Sequence, residues 1–112
     1  MDKPTPVERI EHILAAISSI REFMNGATLE AFAADEMLQS AVKWNFLIIG
    51  EAIRNVDQSI LDKYPYPSHI PKSFLKYFIE SYNEVKIERT YFAKKELGDL
   101  EDVMKSILKN EF

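Results

Sequence analysis

The chain contains no cysteine. That excludes a disulfide framework, a thiol nucleophile and a thiolate metal site, and gives no reason to place the protein in an oxidising compartment. Histidine is nearly as scarce. Neither of the two present, His12 and His69, has an acidic or histidine partner at metal-ligand spacing, so no metal site and no cofactor are expected. His12 lies off the apolar stripe of its helix and reads as a surface or interface residue, and His69 reads as an exposed loop residue. The three glycines form neither a phosphate-cradling loop nor a nucleophile elbow. Long apolar runs are also missing. The start, MDKPTPVERIEHI, has no signal-peptide core, and no segment approaches the roughly 18 to 20 apolar residues of a membrane span, so a cytoplasmic protein with no membrane contact is expected.

An excess of positive charge is absent as well. The formal net charge is −4, with six basic against ten acidic side chains in residues 1–70 and eight of each in 71–112. Lys86, Arg89, Lys94 and Lys95 make the nearest approach to a basic patch, but Glu84, Glu88 and Glu96 dilute it, and a solvated charged face is the simpler reading. Tight autonomous binding of nucleic acid is not indicated.

What the chain does have is an ordinary globular composition, 46% hydrophobic and 29% charged over 112 residues, which suits a single domain spanning 1–112 around one core. Its most informative stretch is Val42 to Ala52, VKWNFLIIGEA. On a helical wheel Leu38, Val42, Phe46, Ile49, Ile53 and Val56 form one narrow stripe, while Met37, Ala41, Trp44, Ile48 and Ala52 carry the apolar arc well beyond it. Lys43, Glu51 and Arg54 keep only a thin wet strip. A helix so apolar needs a second buried surface, and in a chain this short that surface is expected on a partner chain.

The remaining pattern is helical throughout. Pro4 and Pro6 open a helix over about 6–24 whose stripe is Val7, Ile10, Ile13, Leu14, Ile17, Ile20 and Met24, and Asn25-Gly26 stops it. Thr28 caps a short turn, LEAFAA, and Asp35 caps the central helix, which runs to about Val56. Asp57 to Tyr64 forms a further turn or two. Tyr64-Pro65-Tyr66-Pro67 breaks regular structure as a rigid turn, after which a helix over roughly 71–95 carries Phe74, Phe78, Tyr82, Val85 and Phe92 on one face. Gly98 interrupts, and Asp99 with Asp102 resembles a capping arrangement for a last helix bearing Leu100, Val103, Met104, Ile107 and Leu108. The expectation is an all-α antiparallel bundle of about four to five helices.

Two polar residues stand on apolar faces. Asn45 lies inside the arc of the central helix and needs a hydrogen-bond partner if buried, which would fix packing or register. Arg89 falls between Tyr82, Val85 and Phe92, where it is either paired, with Glu96 two turns on, or held to bind a phosphate through its planar fork.

The runs VERIEHILAAISSIREFMNG, AVKWNFLIIGEAIRNV, ILDKYP and GDLEDVMKSIL together resemble the HepT-like family within the HEPN superfamily, most closely over residues 7–65 and less so over 97–108. The most specific piece is Asn45 to Ala52. The resemblance implies a helical bundle that pairs into a homodimer, and for active members a ribonuclease toxin neutralised by a minimal nucleotidyltransferase antitoxin. The family's catalytic motif is an arginine, four to six residues, a histidine and, two further on, a tyrosine that the partner modifies with AMP. Anchoring Leu97-Gly98 and Asp99-Leu100-Glu101 on the similar family segment places Arg89 on the arginine, Lys94 on the histidine and Glu96 on the tyrosine. A second register sets Tyr91 on the tyrosine, Arg89 on the histidine and Glu84 on the arginine. Neither restores a histidine.

Metal-independent RNA cleavage needs a base for the 2′-hydroxyl proton, an acid for the leaving oxygen and a cation for the phosphorane. Histidine suits the first two; lysine near 10.4 and an exposed carboxylate near 4.3 do not. The expected function is therefore a degenerate or weak HepT-like ribonuclease that acts mainly through dimerisation and a nucleotidyltransferase partner, with Trp44, Asn45 and Glu51 as interface or structural residues. The alternatives are an active ribonuclease toxin using Arg89 with Lys94 and Glu96, or with Tyr91, and a helical protein-interaction domain unrelated to toxins.

Overall fold

The computed structural model describes residues 4–64 and 97–112. Among them are five helices and no strand: α1 Pro6–Phe23, α2 Leu29–Ala34, α3 Glu36–Arg54, α4 Gln58–Leu61 and α5 Leu97–Glu111. The all-α fold expected from periodicity is the fold observed. The proline-broken turn after Tyr64 and the helix expected over 71–95 lie outside the described residues.

Local chemistry sets the helix ends. Thr5 caps α1 through a reciprocal box: the Glu8 amide donates to Thr5 Oγ1 at 3.1 Å and the Thr5 amide donates to Glu8 Oε1 at 3.0 Å. Those two bonds occupy donors that a helix start leaves orphaned, and the bond from the Thr5 amide is the main cause that holds the Glu8 carboxyl below its ordinary value. Gly26, at φ 73°, takes the left-handed conformation that turns the chain after α1. Thr28 Oγ1 accepts from the Ala31 amide at 3.1 Å and starts α2. Asp35 then ends α2 and begins α3, its carboxylate accepting from the Leu38 amide at 3.0 Å.

The core is one cluster. Ile10, Ile13, Ile17 and Ile20 of α1 meet Val42, Phe46, Ile49 and Ile53 of α3, and Leu97, Leu100, Met104 and Ile107 of α5 complete it. α1 packs on both α3 and α5, and α2 packs on α3. Each fully buried aliphatic or phenyl side chain stabilises by about 1.5–3 kcal/mol relative to exposure. Arg21 of α1 and Glu101 of α5 join at 2.8 Å on the rim. At the far end of α5, Glu111 accepts from Lys63 Nζ at 3.0 Å and from the Tyr64 hydroxyl at 2.9 Å, tying the chain after α4 to α5.

Two features differ from the pattern expected of the sequence. Gly98 does not interrupt: it lies within α5, and Asp99 is a first-turn residue rather than a cap. Glycine costs a helix about 1 kcal/mol against alanine, but burial of Leu97 and Leu100 against the bundle outweighs that, and an added Cβ at Gly98 would stand 3.8 Å from the Arg21 guanidinium. The second difference is Gln39, which is buried and has no apolar pattern to announce it. Its Nε2 donates to the carbonyls of Phe32 at 2.9 Å and Ala33 at 3.0 Å, so one α3 side chain satisfies the end of α2.

Candidate functional site

α3 divides its apolar residues between two faces. Val42, Phe46 and Ile49 are fully buried, whereas Met37 is 85% and Trp44 58% exposed. Successive α-helical residues advance about 100°, so Met37, Trp44, Ile48 and Asn55 share one line down the helix and Glu51 lies beside it. That line runs opposite the core stripe. The second apolar face read from the sequence is present, and it carries the largest exposed aromatic among the described residues.

Along its C-terminal half this face becomes one wall of a groove of about 280 Å³, with α1 as the other wall. Arg9 and His12, one turn apart, come from α1; Trp44, Leu47, Ile48, Glu51, Ala52 and Asn55 come from α3. The helices place them simply. Ile10 and Ile13 point into the core, which turns Arg9 and His12 toward the rim. Ile49 and Ile53 do the same for α3 and leave Ile48, Glu51 and Asn55 on the groove side.

The groove has an apolar trough and two rims of opposite charge. The α1 rim is cationic through Arg9, with the imidazole of His12 beside it. The α3 rim is acidic through Glu51. Glu51 is only loosely held, its carboxylate accepting from Arg54 Nη1 at 3.5 Å with both side chains about half exposed, a geometry worth little in water. Asn55 Nδ2 donates to the Glu51 carbonyl at 2.8 Å and fixes the last turn. Among the described residues neither Arg9 nor His12 makes an ion pair.

Of the residues singled out in the sequence, Trp44 and Glu51 meet in this groove. Asn45 does not join them: it is half-buried, and its Nδ2 donates to the Ala41 carbonyl one turn back at 2.8 Å, so the partner it required belongs to its own helix. Arg89, Lys94, Glu96 and Tyr91, with Glu84 and His69, lie outside the described residues. Sequence reasoning left Arg9 and Asn55 out. Their signal was available in the flanking positions of the two core stripes, at the levels where antiparallel α1 and α3 lie side by side. Among the described residues no cluster of acidic, histidine or cysteine side chains is arranged to hold a metal ion, and no helix is long and apolar enough to cross a membrane.

Comparison with known proteins adds a lineage. The family model described as "Ribonuclease HepT-like" matches residues 13–107. A protein of Methanocaldococcus jannaschii named "Gamma-glutamylcyclotransferase and putative RNase" is 33% identical over 104 residues, which cover 88% of this chain and 46% of that protein. Another from the same organism, named "Putative RNase", is 36% identical over 53 residues, 47% of this chain and 44% of that protein. The chain thus spans less than half the length of these curated relatives. No solved structure matches it.

Proposed function

The chain belongs to the HepT-like ribonuclease family, and from that premise we propose that it works mainly by association, pairing with a second copy through the outer face of α3 and serving a toxin-antitoxin module beside a minimal nucleotidyltransferase. The observation that carries this reading is the exposure of Trp44 and Met37 on the face of α3 turned away from the core. A tryptophan left in water forfeits a large burial energy, and an apolar stripe rimmed by polar groups marks a site that another surface covers.

The nuclease is reduced in this reading. With Lys94 or Arg89 where the family motif has histidine, the motif lacks a proton-transfer group matched to neutral pH, and losing such a group costs on the order of 10² to 10⁴ in rate. Arg89 retains the means to bind a phosphate. The relatives' ribonuclease names favour a second reading, an efficient metal-independent ribonuclease that uses Arg89 with Lys94 and Glu96, or with Tyr91.

Incubation of the purified chain with mixed tRNA and single-stranded RNA in the presence of a chelator separates the two. The association reading predicts slow or no cleavage together with co-purification of a nucleotidyltransferase encoded beside the chain. Rapid cleavage abolished by Arg89→Ala would replace it with the second reading. A folded chain that stays monomeric and captures no nucleotidyltransferase would remove the association reading.

A further inference from the structure

The groove between α1 and α3 has a property that selects its occupant: its two walls are complementary to each other. One carries Arg9 and His12, the other Glu51 and Trp44. A two-fold axis lying along the groove, in the plane of the contact, exchanges the walls, so that each copy's α1 rim lies across the α3 rim of the other. An in-plane axis at right angles to the groove would instead set α1 against α1 and α3 against α3, joining like charges.

We propose that the second copy docks in this register, with Arg9 and His12 of each protomer set against Glu51 of the other and Trp44 buried between them. The proposal rests on the reading that the outer face of α3 takes a second copy, and it adds the register of pairing and the residues that fix it. Three observations converge on it. Arg9 and His12 make no ion pair among the described residues. Glu51 has only a 3.5 Å contact with Arg54 to give up. The trough between the rims, formed by Leu47, Ile48 and Ala52 beside Trp44, is apolar, which suits a contact that excludes water and strengthens the pairs at its edge. A different protein would have to supply both charges in this order; a second copy supplies them by symmetry.

Charge exchange tests the register. Arg9→Glu and Glu51→Arg are made separately in the full chain, with helicity checked by circular dichroism, and self-association is measured by sedimentation equilibrium. In either variant alone the two contacts become like-charged, and self-association should weaken tenfold or more, on the order expected when like charges are forced together at an interface. In an equimolar mixture of the two variants both contacts again join a cation to an anion, so a heterodimer of near wild-type strength should form. Wild-type pairing by either variant, or a mixture that fails to recover, would overturn the register while leaving the α3 face as the interface. A wild-type chain that stays monomeric would overturn the face and the register together.

Discussion

Trp44 and Phe46 are two residues apart in α3, yet Phe46 is wholly buried and Trp44 is 58% exposed. Two steps along an α-helix turn a side chain through about 200°, enough to carry it from one side to the other. Phe46 turns toward the isoleucines of α1, and Trp44 turns outward onto the line of Met37 and Ile48. Two large aromatics so close in sequence therefore lie in different surroundings, one in the core and one on the surface.

That division predicts opposite mutational behaviour. At concentrations where the chain is monomeric, Phe46→Ala should cost about 3–5 kcal/mol of stability through lost transfer energy and the cavity left behind. Trp44→Ala should change it by about 0.5 kcal/mol or less, as for other exposed substitutions. Urea denaturation followed by circular dichroism measures both. A large loss at Trp44 would place it in the core of the single chain.

Gln39 provides a test of a different kind. Its amide donates to both Phe32 and Ala33 carbonyls, so Gln39→Leu keeps much of the bulk but removes a donor from each, of which the Phe32 carbonyl still accepts from the Asp35 amide at 3.3 Å. A destabilisation of about 1–3 kcal/mol is expected, with hydrogen exchange fastest in residues 29–34. An unchanged denaturation midpoint would mean that water replaces the amide at no cost.

Acid should loosen the attachment of α5. Hydrogen bonds from Lys63 and from Tyr64 hold the Glu111 carboxyl below its ordinary value of 4.5, and the same contact with Glu111 raises Lys63. Because the ionised carboxylate is the paired form, its contribution is complete above the unfolded value and fades as pH falls through the depressed folded one. Wild type should therefore exceed Glu111→Gln in melting temperature near neutrality, and the two curves should converge as pH drops below about 4.5. Parallel curves over that range would show that Glu111 contributes nothing through its charge.

Much of this fold is legible in the sequence because its signals are local. Pro6, Thr28, Asp35 and Asn25-Gly26 mark helix ends by their own backbone chemistry, and the isoleucine spacing of α1 names its buried face. The Thr5 to Glu8 box is equally local and was there to be read. Gly98 misleads because glycine's helix penalty is a local quantity, whereas the packing of Leu97 and Leu100 that overrides it is tertiary. Gln39 is invisible for the same reason: its partners are carbonyls of another helix. The double face of α3 follows from counting apolar residues, but the groove requires two helices side by side, and no pattern within α1 assigns Arg9 to it. Asn45 shows the reverse. Its place on an apolar arc calls for a hydrogen-bond partner, and the helix's own Ala41 carbonyl supplies it.

The most direct test is the molar mass of the wild-type chain and of Trp44→Glu, measured by light scattering after size exclusion across a range of concentrations, with circular dichroism to establish that both are folded. Wild type should run as a dimer and Trp44→Glu as a folded monomer, since a buried, unpaired carboxylate at the centre of the interface is costly. A wild-type chain that remains monomeric at every concentration, or a Trp44→Glu variant that pairs as strongly as wild type, would contradict the assignment of the outer face of α3 as the surface through which this protein acts.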